Sequence, residues 1–226
     1  MLIEKACQQD YKRIYQLYCA AFPWTERKPF SRICRNCRKG KMEMWGIKED
    51  TEFLGFFVCA VYEEIVLIDY FAVMPSKRGR GVGSQALKLL AEIYPEQYIF
   101  LEIEPENEKA SNALQRIRRK KFYLRCGFQE TGILWDMYGV PMEVLCYQKQ
   151  LTLNQCEKMY RYLYGRFWFL PIRRISHAHF EKTGDQNDGH LETSRCGNQC
   201  GYDYAAAADT GGNPAASAGK FDPGSG

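Results

Sequence analysis

Residues 67–90 read LIDYFAVMPSKRGRGVGSQALKLL, which sets a strand, a loop and a helix one after another. Positions 67–73 carry β-branched and aromatic side chains over the length of a strand. Pro75 and Ser76 end it. Arg78, Gly79, Arg80, Gly81, Val82 and Gly83 turn the chain, and Ala86, Leu87, Leu90, Ile93 and Tyr94 then recur at helical spacing. Glycine lets backbone approach an anion closely, and the free N–H groups at a helix start attract negative charge. Lys77, Arg78 and Arg80 add formal charge beside those donors. The amides from Gly79 to Ser84 therefore make a site for a phosphate or pyrophosphate.

Two well-known anion loops fit poorly. A P-loop needs Lys-Ser or Lys-Thr after its last glycine, and Ser84-Gln85 stand there instead. Gly81, Gly83 and Ala86 match the G-x-G-x-x-A dinucleotide fingerprint, but that motif begins at a strand end, and here residues 74–80 intervene. The plainer reading is a glycine-rich turn with solvated basic residues. The order Arg78-x-x-Gly81-x-Gly83 after Val73-Met74-Pro75 resembles the acyl-CoA loop of the GNAT superfamily of N-acyltransferases. A second stretch strengthens the resemblance. An apolar strand at 99–103 ends at Pro105-Glu106-Asn107, a long helix follows, and Phe122-Tyr123-Leu124-Arg125-Cys126-Gly127-Phe128 closes the unit. This is similar to the next GNAT segment, with Asn107 and Ala110 as its Asn-x-x-Ala and Tyr123, Gly127 and Phe128 as its Tyr-x-x-x-Gly-Phe. The family keeps about one helical turn (~3.6 residues) between that alanine and the tyrosine, whereas here the spacing is about nine residues longer. The resemblance spans residues 1 to about 150.

It implies an α+β fold, with a mixed, mostly antiparallel central sheet flanked by helices, and an N-acetyltransferase using acetyl-CoA as cosubstrate and no metal. It also implies direct attack by a primary amine, without an acyl-enzyme intermediate. Two central parallel strands would splay apart, freeing backbone N–H groups near Phe71, Ala72 and Val73 for the carbonyl and pantetheine arm. Tyr123 matches the tyrosine that protonates the departing thiolate; its plainer role is core packing between Phe122 and Phe128. The family's acceptor pocket would fall on Phe22, Trp24, Glu26, Arg27 and Phe30, and on Trp135, Asp136 and Tyr138. Aromatics with a few carboxylates suit a small-molecule amine with an apolar part.

All three histidines lie between residues 177 and 190, so acid–base work in the first 150 residues falls to carboxylates, tyrosine, cysteine or water. Asp69 lies inside an apolar strand, and period-2 alternation puts it on the face of Phe71 and Val73. A carboxylate there must be hydrogen-bonded or working, and burial raises its pKa toward a useful range. Glu102 and Glu104 on the neighbouring strand are rivals for the base.

The remaining elements follow from pattern. A strand at 2–6 precedes a helix that Asp10 caps, with Ile14, Leu17, Tyr18 and Ala21 on one face until Pro23 breaks it. A short helix reaches about residue 39; its Cys34-x-x-Cys37 has no second pair to complete a metal site. Strands at 43–48, 53–61 and 65–73 make an antiparallel run. The long helix is dense in cations at 116–121, which read as a solvated face or as a reach toward the 3′-phosphate of coenzyme A. A hairpin, 128–137 and 142–149, turns at Tyr138-Gly139, with Pro141 at a strand start or edge. Residues 154–170 place Cys156, Met159, Tyr160, Leu163, Phe167 and Leu170 on one face of a C-terminal extra helix, packed on the domain or exposed as a homodimer or partner surface.

The chain therefore divides into a transferase domain at 1–150, an amphipathic aromatic helix at 151–175 and a low-complexity, disordered tail at 176–226. That tail holds three Lys and Arg against seven Asp and Glu, which leaves the first 175 residues with a net charge of +8. A basic core suits a polyphosphate ligand and also nucleic acid, and charge alone does not separate them. His177, His179, His190, Cys196 and Cys200 have irregular spacing for a metal. A hydrophobic content of 46% suffices for a core, and no apolar run reaches the ~18 residues of a membrane span. The charged N-terminus does not read as a signal peptide, and ten scattered cysteines read as reduced core residues in a cytoplasmic protein. A non-catalytic acyl-CoA sensor or protein-docking domain is the competing function.

Overall fold

The computed structural model describes residues 1–137, 139–166, 169 and 172–175. In chain order the elements are β1 (Leu2–Lys5), α1 (Asp10–Ala21), α2 (Phe30–Arg38), β2 (Met42–Glu49), β3 (Glu52–Tyr62), β4 (Ile65–Val73), α3 (Val82–Ile93), β5 (Tyr98–Ile103), α4 (Ala113–Arg125), β6 (Phe128–Met137), β7 (Val140–Tyr147), α5 (Leu153–Tyr164) and β8 (Ile172–Arg174). The strands form one sheet in the order β1-β2-β3-β4-β5-β7-β6-β8, in which β4 and β5 are the parallel pair. All nine residues of β4 are buried, as its continuous apolar run requires of a strand covered on both faces.

Two cores sandwich the sheet. On one face Leu67, Tyr70 and Ala72 of β4 pack with Phe56 and Val58 of β3 under α1, α2 and α5. On the other, Ile68, Phe71 and Val73 pack with Ala86, Leu87 and Leu90 of α3 and Tyr123 of α4. The parity of β4 changes between Leu67 and Tyr70 because its register against β3 slips there: Cys59 pairs with Ile68 and Val58 with Tyr70, leaving Asp69 as a bulge. Strict alternation therefore misplaces Asp69. Its carboxylate meets Lys28, from the connection between α1 and α2, instead of sharing the face of Phe71 and Val73.

Three further differences from the sequence reading have local causes. The long helix starts at Ala113. Asn107 instead makes a turn, accepting from the Lys109 N–H through its side chain, so residues 104–112 form a connection. The C-terminal helix stops at Tyr164, where Gly165 takes a φ of +79°; Phe167 and Leu170 lie outside the described residues. Its start is fixed by a reciprocal cap in which the Thr152 hydroxyl accepts from Gln155 N–H and the Gln155 side chain accepts from Thr152 N–H. β8 was not visible in the sequence; it adds an antiparallel strand to β6 at Trp135–Met137. Pro141 sits in β7 opposite Asp136, beyond the part of β7 that pairs with β5, where its missing N–H breaks no ladder bond. The tail at 176–226, with its histidines, and Tyr138 lie outside the described residues. Among the described residues no helix is long and apolar enough to cross a membrane.

Candidate active site

β4 and β5 pair only at Ile65–Tyr98, Val66–Ile99 and Leu67–Phe100. Beyond that point β4 stays on β3 as far as Val73, while β5 turns to β7 through Phe100–Ile103. The two strands diverge, and among the described residues no strand lies across the gap from the edge of β4 at Tyr70 to Val73. Backbone donors on such an edge must find another partner, and a bound carbonyl or amide is a suitable one.

The anion loop stands at the mouth of this gap. Pro75–Lys77 makes one 3-10 turn, Gly79 and Gly81 take φ of +72° and +78°, and α3 starts at Val82 with no side chain capping it. Those left-handed angles are where glycine is strain-free, and an uncapped helix start leaves its first-turn N–H groups for an external anion. The cations divide unevenly. Lys77 pairs with Glu52 at 2.6 Å, and Arg78 Nε donates to the Val73 carbonyl at 3.1 Å, which ties the loop to the end of β4. Arg80 is exposed beside the helix start.

Across the gap, α4 presents Arg116, Arg119 and Tyr123 at i, i+3 and i+7, one face of the helix. Arg116 pairs with Glu104 at 2.6 Å, and Arg119, only 2% exposed, reaches the same carboxylate at 3.6 Å. Tyr123 is fully buried against Phe122 and Phe128, and its hydroxyl has no hydrogen-bond partner among the described residues. Burial pushes the phenol well above the usual tyrosine range, with the Arg119 charge acting in the opposite direction. An orphaned buried hydroxyl is costly unless a ligand satisfies it, which fits a thioester sulfur arriving beside it. Glu26 joins this cluster from the α1–α2 connection. Burial, reinforced by the Glu104 charge and partly offset by Arg119, raises its carboxyl to about 7.

The other face of the gap is closed by a second polar set. Lys28 Nζ contacts both oxygens of Asp69, at 2.6 and 2.9 Å, and its ammonium lies 5.5 Å from the ring centroid of Tyr164. Burial works against that ammonium, but Asp69 and Tyr164 outweigh it and hold its pKa above the usual lysine value. The Tyr160 hydroxyl donates to Glu102 on β5. All three carboxylates that the sequence offers as the base, Asp69, Glu102 and Glu104, thus have side-chain partners, in Lys28, Tyr160 and Arg116, that sequence position does not reveal.

The remaining expected site residues scatter. Phe22 is core, packed edge-on against Tyr70, and Trp135 is buried against Tyr160. Trp24 is 77% exposed. Asp136 accepts from the Gly139 N–H in the hairpin turn. Of the cations at 116–121 only Arg118 and Lys121 are solvated; Lys120 pairs with Glu143 and Glu130. Arg119 stood in the sequence only among the cations that could reach the 3′-phosphate, and Lys28 carried no signal; their pairing with Glu104 and Asp69, 15 and 41 positions away, was not visible.

A sheet opened between two parallel strands, with a glycine-rich loop and helix start at its mouth and a buried phenol across it, is the framework of a class of acyl-group transferases. The chain belongs to the acetyltransferase (GNAT) family, whose family model matches residues 11–128. No curated protein matches the sequence. Among solved structures, a GNAT-family protein from Bacteroides thetaiotaomicron superposes with a TM-score of 0.60 at 23% identity, covering 74% of this chain and 99% of that one. An aminoglycoside 6′-N-acetyltransferase complexed with coenzyme A gives 0.51 at 13% identity, over 65% and 96%. A protein from Streptococcus mutans UA159 gives 0.51 at 16%, over 65% and 98%. At these identities the likeness is one of fold.

Proposed function

We propose that residues 1–150, completed by α5, transfer an acetyl group from acetyl-CoA to a primary amine by direct attack. Acetyl-CoA supplies a thioester carbonyl. The amides at Gly79–Ser84, with Arg80, would hold its diphosphate, and the open edge of β4 at Phe71–Val73 would hold the pantetheine arm and polarise the carbonyl. Glu26 takes the proton of the attacking amine, since a carboxyl near 7 accepts a proton at working pH far more readily than an ordinary one. The carbon–nitrogen bond forms as the carbon–sulfur bond breaks, and Tyr123 gives its proton to the departing thiolate. The nearby Arg119 charge favours the phenolate left behind.

The divergence of β4 from β5 after Leu67, with an unpartnered phenol on one side, carries this reading. The test is thiol release from acetyl-CoA over a panel of amines. Release by at least one amine, lowered about 100-fold in Tyr123→Phe with coenzyme A affinity unchanged, is the expected result. Tight coenzyme A binding without release by any amine would turn the assignment to an acyl-CoA sensor.

A further inference from the structure

Between Tyr11 and Lys41 the chain holds nine Lys and Arg and a single carboxylate, Glu26. On α2 and the residue that caps its end, Arg32, Arg35 and Lys39 fall at i, i+3 and i+7, with Arg38 beside them, and all four are exposed. None of the four makes an ion pair with a described residue. Several other surface lysines are paired: Lys5 with Glu43, Lys48 with Glu4 and Asp10, Lys77 with Glu52, and Lys158 with Glu63. A line of unneutralised cations raises a positive potential that only an anionic partner relieves.

The stripe leads into the site. Arg32 and Lys28 share a cleft between α2 and α5 whose walls include Ile33, Leu163 and Tyr164. Lys28 is the residue that grips Asp69 at the bulge of β4, where the gap opens. From Arg32 to Lys39 the helix rises about 10 Å, more than one small anion spans and about the length of three extended peptide residues. Resting on the transferase reading above, we propose that the acceptor is the free N-terminal amine of a polypeptide whose next few residues are acidic, laid along α2 with its amine at Glu26. The amine type follows from its own titration: an α-amino group at about 8 has far more of its free base near neutral pH than a lysine at about 10.4. Nucleic acid is the competing polyanion, but Phe30, the aromatic residue of α2, packs against Tyr15 and Tyr18 ahead of the cations instead of standing open among them for base stacking.

Three seven-residue peptides with a free N-terminal serine, followed by three Asp, three Ala or three Lys, are compared as acceptors for the full chain by kcat/KM for thiol release. The acidic peptide should exceed the alanine peptide about tenfold at low salt, and the gap should close at high salt. The Arg32→Glu, Arg35→Glu double variant should reverse the order in favour of the lysine peptide, with coenzyme A affinity and unfolding midpoint unchanged. Blocking the N-terminus of an acidic peptide that also carries a lysine should abolish release. Equal rates for the three peptides, or an order unchanged in the variant, would overturn the proposal while leaving the transferase reading intact. Tight binding of a single-stranded RNA lost in the same variant, with no peptide preference, would reassign the stripe to nucleic acid. No release by any amine would sink both.

Discussion

On the α3–α4 face the gap between β4 and β5 is met largely by backbone: glycine-loop amides, an uncapped helix start and a strand edge without a neighbour. On the α1–α2–α5 face it is met by side chains, a Lys28–Asp69 ion pair and a Tyr160–Glu102 hydrogen bond that neither element supplies alone. Backbone donors are the same in any sequence that makes the turn, so the first face suits a ligand shared by many relatives. Side chains can be exchanged one by one. The second face is therefore the one whose chemistry a substitution can change, and it differs from the first in how it should fail.

Removing one partner of the buried pair should do most damage. Lys28→Met leaves the Asp69 carboxylate buried without its cation and should lower stability by about 3–5 kcal/mol in urea unfolding. Adding Asp69→Leu should recover most of that, because the lone charge is then gone; no recovery would mean that Lys28 is held by something other than charge. Next comes Glu26→Gln, with kcat/KM down about 10³-fold. In the native protein kcat/KM should rise through about pH 7 as Glu26 loses its proton, and the variant should lack that limb. The stability sign is opposite. Because the folded pKa of about 7 exceeds the ordinary 4.5, the folded state keeps the proton longer, so the Glu26 contribution to stability falls as pH rises from 4.5 to about 7. Glu26→Gln should flatten that part of a melting-temperature profile.

On the backbone face, Gly81→Asp puts a side chain at φ +78° and a negative charge at the α3 start; coenzyme A affinity by calorimetry should drop about 100-fold, with the fold retained. The smallest effect is at the sheet itself. A Cβ on Gly55 would lie 2.4 Å from the Ala72 carbonyl at the end of β4, so Gly55→Ala must shift that strand and should cost about 1–3 kcal/mol by thermal unfolding. If Gly55→Ala also weakened coenzyme A binding, the edge of β4 would be confirmed as part of the cofactor cradle.

Most of the architecture could be read from the chain because its signals are local. The 65–73 run gave β4 with the same limits, and the loop glycines fell where positive φ was needed. The side-chain face was not readable. Alternation assumes an even ladder, and the bulge at Asp69 reversed its parity without any mark in the residue types. The aromatics placed in the acceptor pocket, Phe22 and Trp135, were claimed by the core because large rings gain most from full burial. Lys28, standing among other cations, could be matched to Asp69 only by folding the chain.

One feature bears on how the protein is made. Lys41 donates to the Tyr162 carbonyl and Glu102 accepts from Tyr160, separations of 121 and 58 positions. As the nascent chain leaves the ribosome, the sheet's first five strands are out and able to pair well before α5 exists. Until that last helix docks, the carboxylate of Glu102 has no phenol to receive and the gap lies open on one side. Each newly made molecule therefore passes through an interval in which the first strands can pair while this side of the gap is still uncovered.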